Sequence, residues 1–165
     1  MIRYYLHIVS QILKRPRLFF STEAVELGLR RSVCALAISS AVFVAASLLR
    51  QMPADPMTCG GVLFTNAMGM VLITSAAGYG VMRITMGNCV PFPSFFSIYA
   101  FSSSAVLLFA WIPMGTWLTE PYKWWLIGTG MTRSLGFSKG NAFLVILASI
   151  FGVAAFFNVV LHSCL

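Results

Sequence analysis

Four long apolar segments, 32–49, 61–82, 95–112 and 141–161, contain no Asp or Glu between them. Each approaches the roughly 20 residues that an α-helix needs to cross the hydrocarbon of a bilayer. In lipid every backbone N–H and C=O must be satisfied within the segment itself, so runs of this kind fold as helices. Of the 165 residues, 59% are hydrophobic and 9% charged, with a mean hydropathy of +0.86. A soluble domain carries about 25% charged residues. The outer surface of this chain is therefore itself largely apolar, and lipid is its expected solvent.

A net charge of +7 raises the question of nucleic acid. The distribution of the charge argues against it, because Arg3, Lys14, Arg15, Arg17, Arg30 and Arg31 all precede the first long apolar run. That placement suits a cytoplasmic flank facing anionic lipid headgroups. It also fits poorly with a cleaved leader, whose apolar stretch follows a short basic one. Within this flank, residues 1–31, Ile2–Lys14 places Ile2, Tyr5, Leu6, Val9, Ile12 and Leu13 at helical spacing. The pattern predicts an amphipathic helix lying in the membrane interface, with packing on another subunit as the alternative. Pro16 breaks that helix at Arg15. Ser21 or Thr22 is then expected to cap the next helix, with Glu23 and Glu26 in its first turns.

The stretch 122–135 is ambiguous. Its 14 residues give only about 21 Å of helix, against roughly 30 Å of hydrocarbon. Charge decides the matter. With a fifth crossing here, Arg3, Lys14, Arg15, Arg17, Arg30, Arg31, Arg83, Arg133 and Lys139 share the cytoplasmic side, opposite Arg50 and Lys123. Without it, Arg133 and Lys139 change sides. The excess of Lys and Arg on cytoplasmic loops favours crossing. Trp124 and Trp125 beside Lys123 then anchor the outer interface, and Gly128 and Gly130 mark a helix crowded by its neighbours. The expectation is an all-α membrane domain over residues 32–165, with five spans at 32–49, 61–82, 95–112, 122–135 and 141–161, N-terminus inside and C-terminus outside.

Two blocks carry a family resemblance: "ILKRPRLFF" before the first span, and "YKWWLIGTGMTRSLGFSKGNAFLVIL" over 122–147, a short span leading through G-F-S-K-G into the last helix. Together they resemble the bacterial branch of the Yip family, membrane proteins named for Ypt/Rab-GTPase interaction in eukaryotes. The resemblance implies a cytoplasmic N-terminus, five closely spaced helices and residence in a bacterial inner membrane. Eukaryotic members carry an acidic "D-L-Y-G-P"-like motif in a long N-terminal region. Nothing before Arg31 matches it, so GTPase binding is not carried over.

Chemistry-bearing constellations are few. No carboxylate lies at depth to relay protons or couple ions. His7 and His162 sit at opposite ends and cannot ligate one haem between them. There is no G-x-S-x-G or H-E-x-x-H, and Cys34, Cys59, Cys89 and Cys164 show no ligand spacing. No enzyme, metal or cofactor is expected. Asn66 and Asn158, with Ser102, Ser103 and Ser104, are read as polar packing between helices. Cys59 and Cys164 both fall near the outer face, where a disulfide is possible in an oxidising compartment; two free thiols are the alternative. Small residues four apart (Ala41 with Ala45, Thr74 with Gly78, Ala148 with Gly152) permit close helix approach. The expected function is non-enzymatic: protein or lipid interaction that organises a membrane patch or supports a larger complex. Arg3, Lys14, Arg15 and Arg17 are its expected contacts with anionic lipid, other membrane proteins or a second copy. The alternative is a small oligomeric transporter or channel with Asn66 and Asn158 along its path.

Overall fold

The computed structural model describes residues 2–22, 24, 27–87, 90–112 and 115–163, without the side chains of 2–4, 115–116, 156–157 and 159–163. All secondary structure among them is helical: α1 (Ile2–Lys14), α2 (Pro16–Thr22), α3 (Gly28–Gln51), α4 (Pro56–Met86), α5 (Phe92–Leu107), α6 (Gly115–Ser134) and α7 (Lys139–Ser163). Short connections join α3 through α7, and each helix packs against the next, the antiparallel arrangement that short loops enforce.

The centre of the bundle is α5. From Phe95 to Val106 every residue is buried, as expected of a helix apolar on all sides. Helices α1, α3, α4 and α6 pack around it, and α7 closes the far side against α4 and α6. Among the described residues ten buried polar side chains, all serine, punctuate the interior, four on α3 and four on α5. Serine is small enough to let helix backbones approach and can bond its hydroxyl to the preceding turn. Ser97 Oγ donates to the Pro93 carbonyl and Ser104 Oγ to that of Ala100. Between helices, the hydroxyls of Ser32 and Ser97 meet at 3.1 Å.

Helix α4 shows the contrast between inner and outer faces. Its buried residues, Val71, Ser75, Gly78 and Met82, recur every three or four positions on one stripe facing the bundle, while Val62, Phe64, Leu72 and Ile73 are exposed. Gly78 permits the close approach to α5: a methyl group there would stand 2.5 Å from the Tyr99 hydroxyl oxygen. Thr74–Gly78 is thus an internal contact, whereas Ala41, Ala45 and Gly152 lie exposed.

Two helices, α3 and α4, are long and apolar enough among the described residues to cross a bilayer. Their 24 and 31 residues correspond to about 36 and 46 Å. The expected all-helical architecture is observed, and two of its five spans meet the test of length and composition. Boundaries shift elsewhere. Helix α5 ends at Leu107, ahead of the expected 112, and gives way to turns over 108–111. Helix α6 begins at Gly115 and accommodates Pro121 within it; Glu120 sits exposed and pairs with Lys123 at 2.6 Å. The N-terminal flank departs most. Its second half forms a helix of its own, α2, and α3 begins only at Gly28. Ser21 and Thr22 end α2 instead of capping α3, each donating its hydroxyl to the Leu18 carbonyl at 2.9 Å. Glu23 and Glu26 lie outside the described residues.

Candidate functional site

Much of the amphipathic face of α1 is buried by the chain itself, although Leu6, expected on that face, is exposed. Tyr5, Ile8, Val9 and Ile12 are buried, as are Phe19 and Phe20 of α2, and all join one apolar cluster with Ile98, Phe101 and Leu126. The Tyr5 and Ser39 hydroxyls meet at 2.7 Å, fixing α1 to α3. Phe19 stands edge-on to Phe101 with ring centroids 5.3 Å apart. Arg15 breaks the chain between the two helices because Pro16 disfavours a helical conformation before it. Burying these side chains places the remaining faces outward, so Lys14, Arg15 and Arg17 are exposed. The Arg3 side chain lies outside the described set.

The two sequence blocks singled out above meet at this point. Gly130 of α6 lies against Ile98 and Phe20, with Phe20 Cδ1 3.2 Å from where a Cβ would stand. One turn later the Ser134 hydroxyl donates to the Phe20 carbonyl. The G-F-S-K-G block then reverses the chain. Gly136 adopts φ +70°, a conformation that costs glycine little, and the Leu135 and Phe137 N–H groups close the helix end on the Met131 carbonyl. Ser138 caps α7 by accepting from the Asn141 N–H at 3.2 Å.

This folding gathers the cations. Lys14, Arg15 and Arg17, the start of α3 with Arg30 and Arg31, the end of α4 with Arg83, and the α6–α7 turn with Arg133 and Lys139 share one end of the bundle, all exposed. The opposite end holds Arg50, whose guanidinium donates to the Trp111 carbonyl at 2.9 Å, together with Asp55 and the Glu120–Lys123 pair. Lys123 also stands 5.1 Å over the Trp124 ring.

Concavities open on the surface of the described residues. One of about 890 Å³ runs between α6 and α7, from Arg17, Arg133 and Lys139 at the basic end along Gly128, Ile146 and Leu147 toward Trp124 and Trp125. A groove of about 640 Å³ follows α4 past Gly61, Thr65, Asn66 and Gly69. A third, of about 310 Å³, lies between α1 and α3 at Tyr5, Arg31 and Cys34.

Asn66 and Asn158 are both exposed. Cys59 is half-buried and free among the described cysteines, and Cys164 lies outside them. Ser102 and Ser104 are fully buried and Ser103 nearly so. The described residues hold no cluster of His, Cys, Asp and Glu able to bind a metal. Sequence reasoning missed the convergence of Arg17 with Arg133 and Lys139, residues more than a hundred positions apart. No family model, curated protein or solved structure matches the chain.

Proposed function

We propose that this chain is a Yip-like integral membrane protein of the bacterial inner membrane. It crosses five times and acts without catalysis, through contacts with lipid and with other membrane proteins. One observation carries this reading: the outward faces are apolar while the cations collect at one end. Leu29, Val33, Val42 and Leu49 on α3, Val62, Leu72 and Ile73 on α4, and Phe143, Leu144, Leu147 and Phe151 on α7 are all exposed. Soluble monomers rarely expose continuous apolar patches larger than a few hundred Å². A bilayer covers such faces, and the basic end then faces the cytoplasm and its anionic lipid. Helix α5 needs little lipid contact of its own because neighbouring helices cover it, whereas α6 turns Leu126, Ile127 and Met131 inward and leaves Trp117, Leu118 and Trp125 exposed.

The docked α1–α2 hairpin presents Lys14, Arg15 and Arg17 as a fixed basic surface, each worth about 1 kcal/mol against an anionic leaflet. The mutual packing of the two blocks that resemble the Yip family supports that kinship. A path for solute along Asn66 would need a second copy of the chain, since Asn66 lies in an outward groove of α4.

Purification from native membranes in mild detergent, with mass spectrometry of what stays bound, tests the interaction role. A reproducible stoichiometric protein partner is the expected result. A homo-oligomer free of other proteins would count against it and favour transport.

A further inference from the structure

We propose that the groove between α6 and α7 is a binding site for one anionic phospholipid. The inference rests on the membrane reading above and names a lipid class and a place for it. Three features of the groove converge. Its mouth brings together Arg17 from α2, Arg133 from the end of α6 and Lys139 from the start of α7, and no described carboxylate lines it. The N-terminus of α7 lies at the same mouth, where the helix dipole favours a phosphate. Guanidinium groups match phosphate oxygens in a planar fork, whereas the ammonium adds a point charge.

Beyond the mouth the walls turn apolar. Gly128 leaves the floor open because it has no side chain, and Ile146, Leu147 and Trp124 flank it. From Arg133 to Trp124 the floor runs nine residues along α6, about 14 Å, and ends beside Lys123. A headgroup held at the basic mouth therefore has an apolar trough for most of an acyl chain. A soluble phosphate ester would leave that trough empty, and a zwitterionic lipid would bring its own cation toward three others.

The test uses the full chain in nanodiscs of equimolar phosphatidylglycerol and phosphatidylcholine. The chain is then transferred to mild detergent and the retained lipid is counted by native mass spectrometry. Wild type is expected to retain one phosphatidylglycerol in preference to phosphatidylcholine by about tenfold or more. Arg133→Gln with Lys139→Gln should abolish the preference. Gly128→Leu, which fills the floor without changing charge, should lose the lipid altogether. Arg30→Gln with Arg83→Gln, the same charge change at the same end of the bundle but outside the groove, should leave the retained lipid unchanged. Retention without headgroup preference in wild type would overturn the site. So would equal losses in the two double variants, or full retention by a folded Gly128→Leu. Failure of the membrane reading is separately visible: the chain would then be released from native membranes by alkali.

Discussion

Gly130 of α6 packs so tightly on Ile98 of α5 that no side chain fits between them; a Cβ would fall inside van der Waals contact with Ile98 Cγ2. Phe20 lies against the same position, so one glycine sets the spacing of α2, α5 and α6. Gly130→Ala should therefore destabilise the bundle by about 1–3 kcal/mol, the usual range for overpacking. Gly69→Ala is the control. Nothing lies within 4 Å of the added methyl, and replacing a helical glycine is worth about 0.5–1 kcal/mol in the stabilising direction. Denaturant titration in mixed micelles should rank Gly69→Ala above wild type and Gly130→Ala well below it. The reverse order would contradict the packing.

Two buried serines should behave oppositely. Ser39 holds the Tyr5 hydroxyl at 2.7 Å, and Ser39→Ala leaves that phenol short of a partner, at a cost of about 1 kcal/mol. Ser102 Oγ is buried with no hydrogen-bond partner among the described residues. Ser102→Ala removes that unsatisfied group and should be neutral or mildly stabilising. Proteolysis within α1 reads the first effect and global unfolding the second. Equal losses would show that the hydrogen bond is not what holds α1.

Asp55 caps α4 at the opposite end, accepting from the Thr58 N–H at 3.3 Å and the Thr58 hydroxyl at 2.6 Å. These bonds favour the carboxylate and hold its pKa below the ordinary aspartate value, the Thr58 side chain contributing most. A depressed folded pKa means that the cap is fully present above the unfolded value, about 4. It is lost as pH falls through the lower folded value. Protection factors of the amides at residues 57–59 should fall on acidification through that window. Asp55→Asn, which caps without titrating, should abolish the pH dependence; its persistence would assign the effect to another group.

Lipid attraction at the N-terminal surface predicts a salt dependence. Lys14→Gln with Arg15→Gln should halve the enrichment of anionic lipid around the protein at low ionic strength and have little effect at 1 M salt, where the screening length falls to about 3 Å. Enrichment is read by fluorescence quenching with labelled phosphatidylglycerol. An equal difference at both salt concentrations would rule out a surface electrostatic origin.

Much of the architecture was legible because it depends on local pattern. Apolar runs placed α3 and α4, the 3.6-residue period of Tyr5, Val9 and Ile12 placed α1, and Gly136 and Ser138 marked the turn into α7. The short α2 was not legible, because seven residues beginning at a proline carry too little periodicity to announce a helix. Nor was the partner of the apolar face of α1. Amphipathicity says that Val9 and Ile12 must leave water, but lipid and protein satisfy that demand equally, and only the fold shows Phe101 and Ile98 waiting there. The groove was hidden for a related reason. Arg17, Arg133 and Lys139 are unremarkable surface cations in the linear chain and become one mouth only after α2 docks on α6.

The central claim is the proposed fivefold crossing, in which α6 is the weakest link by composition, because Glu120, Pro121 and Lys123 lie within it. In a variant lacking the four native cysteines, single substitutions Ala54→Cys and Leu118→Cys would mark one end of the bundle, Thr85→Cys and Gly140→Cys the other. A membrane-impermeant maleimide applied to intact cells should label the first two and reach the second two only after permeabilisation. Labelling of Gly140→Cys together with Leu118→Cys in intact cells would show that α6 does not cross, and would contradict the topology proposed for this chain.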